Sequence, residues 1–220
     1  MKKLVLFVLI AFMGMSNTVK AQEIGNFISC KVDGKEWKAE AKRIKIPTKN
    51  MNYLALAGFE VNPDVQVWIR LFYFTDSLKP GTYPIMSEKE LEKVSKKKEL
   101  HQAVYVLLDY TGETKGMGHA FHDGKSLNGE VTITNLTDTS VEGTFKAELE
   151  GVYYKKKGFA TVTGMGLRSN LEEKMITSAG GGMLVNGDPH YHDNTKEQKN
   201  TDTIVLSDGK FNVDWTDTDQ

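Results

Sequence analysis

The Asx-Gly pairs Asp33-Gly34, Asn128-Gly129, Asn186-Gly187 and Asp208-Gly209 stand among short β-prone runs and constrain the chain more than any other feature. Asn or Asp followed by Gly supplies the positive φ angles of a tight hairpin, so pairs spaced in this way favour antiparallel meanders. The run from Phe27 to Val32 turns through Asp33-Gly34-Lys35 into Glu36 to Ala41. There Trp37, Ala39 and Ala41 share one face and Glu36, Lys38 and Glu40 the other. That period of two is the mark of a half-buried strand. A second hairpin is predicted where Val131 and Ile133 alternate with threonines, Asp138-Thr139-Ser140 turns the chain, and Val141, Phe145, Ala147 and Leu149 return on one face. A third runs from Ile204-Val205-Leu206 through a Ser207-Asp208-Gly209 turn into Lys210 to Trp215.

Two runs are apolar on both sides. Val65, Val67, Ile69, Leu71 and Tyr73 lie opposite Gln66, Trp68, Arg70, Phe72 and Phe74, and Val104, Val106 and Leu108 lie opposite Tyr105 and Leu107, with Asp109 near the end of that run. Strands of this kind belong at the centre of a sandwich or in a barrel wall covered on both faces. Between them, Pro80-Gly81 marks a turn and Ser87 to Leu100 reads as the one helix, opened by a Ser87/Glu90 capping box and poor in apolar residues. The stretch 164–203 carries Gly180-Gly181-Gly182 and a long polar run, and reads as an irregular excursion from the core. The fold expected is therefore all-β with minor α content: an antiparallel β-sandwich or barrel-like meander with one short surface helix.

The first 21 residues have the three parts of a secretory signal peptide: Lys2 and Lys3, an apolar stretch from Leu4 to Met15, and a polar stretch ending Val19-Lys20-Ala21, with cleavage expected before Gln22. The apolar run is about a dozen residues, whereas a membrane-spanning helix needs about 20, and no later stretch approaches that length. The remainder, 22–220, is expected to form a single β-rich domain without a transmembrane segment. Cys30, the one cysteine, lies fifteen positions beyond Met15, too far for the usual lipid-attachment site, so export as a free protein to the periplasm or beyond is favoured over a lipid anchor. A single cysteine forms no internal disulfide, and its apolar neighbours mark it as a strand residue rather than a reactive thiol.

Removing Lys2, Lys3 and Lys20 takes the cations from 28 to 25 against 29 acids, a net charge of −4 that argues against a nucleic-acid partner. Two local basic runs, Lys96-Lys97-Lys98 and Lys155-Lys156-Lys157, read as solvated faces.

The segments Val32-Asp33-Gly34-Lys35-Glu36-Trp37-Lys38-Ala39, Val141-Glu142-Gly143-Thr144-Phe145 and Asp208-Gly209-Lys210-Phe211 resemble the VDGxxWxA opening, VxGTF centre and GxF end of a family of exported bacterial envelope domains of unknown function. The resemblance implies a β-fold at the cell envelope and brings no catalytic residues with it.

Chemistry-bearing groups are sparse. There is no Gly-x-Ser-x-Gly elbow, no His-Glu-x-x-His helix, no phosphate-cradling glycine loop and no cofactor motif. Four of the five histidines fall into two pairs, His119 with His122 and His190 with His192, and these four are the candidate ligands of a divalent metal should the fold bring them together. Aromatic platforms for a sugar or peptide are offered by Trp68, Tyr73, Tyr105, Tyr153 and Tyr154, with Arg70 or Asp109 as directional polar partner; Trp37, Trp68 and Trp215 also read as core, and Tyr153 and Tyr154 as exposed. Asp76-Ser77-Leu78 and Asp202-Thr203-Ile204 fit a loose O-glycosylation pattern. The favoured reading is a non-enzymatic exported module that binds a glycan ligand or an envelope protein; the alternative is a metal-binding protein or metal-dependent enzyme built on the histidine pairs.

Overall fold

The computed structural model describes residues 25–44, 52–61, 64–74, 78–87, 89–91, 93, 104–114, 118, 120–157, 189–190, 192 and 194–216. These form nine strands: β1 (Phe27–Val32), β2 (Lys35–Ile44), β3 (Asn52–Val61), β4 (Asp64–Tyr73), β5 (Gly81–Ile85), β6 (Val104–Gly112), β7 (Phe121–Leu136), β8 (Ser140–Lys156) and β9 (Thr195–Asp214). They close into a barrel in the order β1-β2-β3-β4-β6-β5-β7-β8-β9, with β9 returning to β1. Neighbours are antiparallel except β5 and β6, which meet in parallel at Ile85 and Val106. Of the two architectures left open by the sequence, the barrel is the one found. Among the described residues no helix is long and apolar enough to cross a membrane.

Alternation decides what fills the barrel. One continuous cluster takes a residue from every strand, among them Ile28, Trp37, Leu56, Ile69, Ile85, Val106, Ile133, Phe145 and Phe211. A barrel of this strand number has an interior that side chains can fill. Cys30 points into this core, and burial pushes its thiol up to about 12.

The two-faced runs occupy the expected place. Residues 65–71 of β4 are all buried: Val65, Val67, Ile69 and Leu71 face the lumen, while Trp68 on the other face packs with Tyr53, Ala55 and Ala57 of β3 in a second cluster. Trp37, Trp68 and Trp215 are 9 %, 2 % and 4 % exposed, so all three are core residues.

The Asx-Gly pairs divide. Asp33-Gly34 is the β1–β2 hairpin, with φ of 49° and 79°. Asn128-Gly129 and Asp208-Gly209 are not turns; they sit inside the long strands β7 and β9, where register shifts mark bulges between Ser126 and Asn128, Phe145 and Ala147, and Ser29 and Lys31. A bulge needs the same positive φ as a tight turn but bends the strand instead of reversing it. Gly129 has φ of 137°, and a Cβ there would stand 2.2 Å from the Lys146 carbonyl oxygen. The third predicted hairpin is thus a single bent strand, and β9 begins at Thr195, so residues 195–203 extend the sheet instead of looping away. Asn186-Gly187 and 164–188 lie outside the described residues. Ser87 and Glu90 do form the capping box, with Ser87 N 3.0 Å from Glu90 Oε2 and Glu90 N 3.2 Å from Ser87 Oγ, over a helical turn that opens at 89.

Candidate functional site

β6 and β7 pair in register at Tyr110 and Gly124 and bridge again at Glu113 and Phe121. On either side of the Tyr110–Gly124 pair, side chains take the place of ladder bonds. The Gly112 N–H donates to Asp123 Oδ1 (3.4 Å), the Ser126 N–H to Asp109 Oδ1 (3.3 Å), and the Leu108 N–H to Ser126 Oγ (2.9 Å). Asp109 and Asp123 are both fully buried, so each carboxylate requires charged partners.

Those partners arrive from distant parts of the chain. Arg70 on β4 donates to Asp109 Oδ2 through Nε at 2.7 Å and through its terminal nitrogen at 2.6 Å. His190 lies between the carboxylates, Nδ1 3.1 Å from Asp123 Oδ2 and Nε2 3.4 Å from Asp109 Oδ1. His192 donates from Nε2 to the same Asp123 oxygen at 2.5 Å, stacks on Phe121 with ring centroids 3.8 Å apart, and meets the Tyr154 edge. Its Nδ1 is buried without a hydrogen-bond partner.

Both nitrogens of His190 face acceptor-only oxygens, so both carry protons and the ring is an imidazolium. Burial alone would lower its pKa, but the hydrogen bonds and charges of Asp109 and Asp123 outweigh burial and raise it to about 10. Burial likewise opposes ionisation of Asp123, yet His192 and His190 bring it down to about 2. Asp109 is held below the usual carboxylate range because Arg70 and His190 overcome its burial. A histidine that stays protonated through the neutral range offers no general base there. The cluster is a clamp that fastens His190 and His192, just ahead of β9, onto the wall formed by β6 and β7.

The sequence-derived candidates thus separate. Trp68, Arg70, Tyr105 and Asp109 are adjacent on the outer side of β4 and β6, but at 2 %, 6 %, 2 % and 0 % exposure they present no platform to a ligand. His190 and His192 converge with Arg70 and Asp109. His122 does not join them: it lies on the face of β7 opposite Asp123, where Nε2 is 2.9 Å from Asp202 Oδ1, the ring stacks on Tyr153, and the Tyr153 hydroxyl donates to Asp202 Oδ2 at 2.7 Å. His119 and Ser77 lie outside the described residues. Among the described residues no group of three or more His, Cys, Asp or Glu side chains is disposed to hold a metal ion. Tyr154, expected at the surface, is 7 % exposed and packs with Ala120, Phe121 and Val152.

Asp123 went unrecognised in the sequence because nothing in His122-Asp123-Gly124 distinguishes a seam carboxylate from a loop acid. A second feature was equally hidden. Where the bulges bend β7, β8, β9 and β1, the outer surface forms a groove of about 860 Å³ reaching β2. Two rows of side chains cross it. One row alternates in charge, Glu36, Lys31, Asp208, Lys146 and Glu130, joined by Lys31–Asp208 at 2.7 Å, Lys31–Glu36 at 3.7 Å and Lys146–Glu130 at 3.0 Å. The other follows the strand register through Lys38, Ser29, Lys210, Thr144 and Thr132, and continues to Thr82, whose Oγ1 is 2.9 Å from that of Thr132.

No protein-family profile matches the chain, and comparisons with curated proteins and with solved structures likewise found no match.

Proposed function

We propose that the protein is an exported, non-enzymatic binding module of the cell envelope or its exterior, released behind the leader that ends at Ala21, and that its ligand lies in the groove across β7, β8, β9, β1 and β2. The observation that carries this reading is the groove itself. Lumen and histidine clamp are both closed by their own side chains, whereas the groove is open, concave, and lined by exposed ammonium, carboxylate and hydroxyl groups. Such a lining suits a ligand with many polar groups, a glycan or an extended peptide, and suits an apolar one poorly. A glycan and peptide screen of the purified protein without its leader tests this, with Thr144→Trp filling the groove floor from an exposed position. A ligand retained by the wild type and lost in Thr144→Trp is the expected result. No ligand at all, or one indifferent to Thr144→Trp, overturns it.

A further inference from the structure

One polar cluster lies apart from both the clamp and the groove. On β8 and β9 the lumen-facing alternation that carries Leu149 and Ile204 runs one step further, to the register partners Gly151 and Asp202. Another step along β8 reaches Tyr153, whose register partner on β7 is His122. His122 Nε2 is 2.9 Å from Asp202 Oδ1, the Tyr153 hydroxyl donates to Asp202 Oδ2 at 2.7 Å, and the two rings stack 4.1 Å apart at 3°. Each carboxylate oxygen thus meets a different side chain, and the parallel rings set the imidazole nitrogen and the phenol oxygen side by side. Position 151 has to be glycine for this meeting: a Cβ there would overlap Asp202 Oδ1 and stand 2.9 Å from His122 Nε2. Unlike the buried clamp, the cluster is reached by solvent, with the His122 and Asp202 side chains 22 % and 43 % exposed.

We infer that this cluster is a binding site for a ferric ion, held by His122 Nε2, the Asp202 carboxylate and the Tyr153 phenolate. With one histidine and one carboxylate, it depends on the phenol as third donor. Ligand atoms bound at about 2.1 Å and at right angles stand about 3.0 Å apart, so the spacings of 2.9 and 2.7 Å suit a shared ion. Burial opposes ionisation of Asp202, yet the bonds from His122 and Tyr153 hold its carboxyl below the usual range, so its charge is in place at neutral pH. Facing that acceptor, Nε2 carries the ring proton. On metal entry the ring takes its other tautomer, the phenol gives its proton to water, and both atoms turn lone pairs to the ion. The bond to Asp202 raises the phenol's pKa, so a weakly polarising ion leaves it protonated and a trivalent one displaces the proton. Phenolate and carboxylate then supply two negative charges, and Asp33 acts on Tyr153 as a third. Imidazole by itself would suit zinc or copper as well; two anionic oxygen donors select the harder ion. Water completes the coordination from the exposed side.

The test uses the protein lacking its leader, stripped with a chelator, offered ferric nitrilotriacetate near neutral pH and desalted. One equivalent of retained iron with a visible phenolate-to-iron charge-transfer band is expected. Tyr153→Phe keeps the ring stack and should abolish the band. Asp202→Asn and His122→Gln should each weaken iron binding by about tenfold or more, at least the loss that follows removal of an outer-shell partner of a metal ligand. Tyr83→Phe alters a phenol bonded to the Lys79 backbone instead and should leave the band unchanged. No retained iron, iron without the band, a band that survives Tyr153→Phe, or zinc retained in preference to iron overturns the inference. The wild type decides the first, second and last of these by itself, so a variant that misfolds does not shield the inference, and far-UV ellipticity checks the fold of each variant. The groove reading stands or falls separately: Thr144→Trp should leave the band intact, and Tyr153→Phe should leave ligand binding in the groove intact.

Discussion

Nδ1 of His190 stands 3.1 Å from Oδ2 of Asp123, and both side chains are closed off from solvent although 67 positions separate them in the chain. The pair joins the approach to the last strand to the β6–β7 seam. The consequences of burying such a pair are open to measurement.

Stability should show a plateau with two flanks. His190 keeps its proton up to about 10, against 6.5 unfolded, so its contribution is complete below about 6.5 and is lost as pH rises through 10. Asp123 keeps its charge down to about 2, against 3.8, so its contribution is complete above about 4 and is lost as pH falls through 2. Urea unfolding between pH 3 and 10 should therefore show greatest stability near pH 4–6.5. His190→Gln should flatten the alkaline flank; an unchanged flank would assign it to other groups.

Replacing one member of the clamp should cost more than any surface change. Asp123→Asn removes the charge facing His190 and His192 and leaves an imidazolium uncompensated. Breaking a buried pair in this way costs about 3–5 kcal/mol. Denaturant midpoints at pH 6 measure it, and a loss below about 1 kcal/mol would mean that water compensates the cluster.

Two glycines that look alike in sequence should differ under substitution. Gly34 has φ of 79° with nothing within 4 Å of an added Cβ, so Gly34→Ala costs only the backbone strain, about 1–2 kcal/mol. At Gly129 the added Cβ meets the Lys146 carbonyl oxygen at 2.2 Å and Ala147 Cα at 2.7 Å. Gly129→Ala should lose about 3 kcal/mol or more, because the bulge must open as well. Equal losses would show that the bulge yields freely.

Cys30 should be chemically silent in the folded protein. Burial in the lumen, and the nearby Glu36 charge, disfavour the reactive thiolate. A chromogenic disulfide reagent at pH 8 should register no thiol in native buffer and one equivalent in guanidinium. Prompt native reaction would contradict the closed lumen.

Much of the fold was legible because alternation is local. Trp37, Ala39 and Ala41 on one face, Val141, Phe145, Ala147 and Leu149 on another, and the two-faced β4 and β6 all follow from counting by two along the chain. The functional reading was less legible. Arg70 with Asp109 and His190 with His192 stand out in the sequence as two unrelated pairs, and their convergence with Asp123 depends on β4, β6, β7 and the residues just before β9 lying side by side. Lys38, Ser29, Lys210, Thr144 and Thr132 gave no joint signal at all, since the row exists only across strand register.

By itself, then, the sequence determined the strand chemistry: which side chains can share a face, that Asx-Gly pairs demand positive φ, and that the one cysteine is not a staple. Tertiary structure alone decided whether each such pair reverses the chain or bends it, which strands close the barrel, and which charges are buried together. The physical reason is one of range. Periodicity and φ preference act within a few residues, whereas bulge or turn, seam or ladder, and groove or flat wall are settled by hydrogen-bond partners supplied from strands far away in the chain.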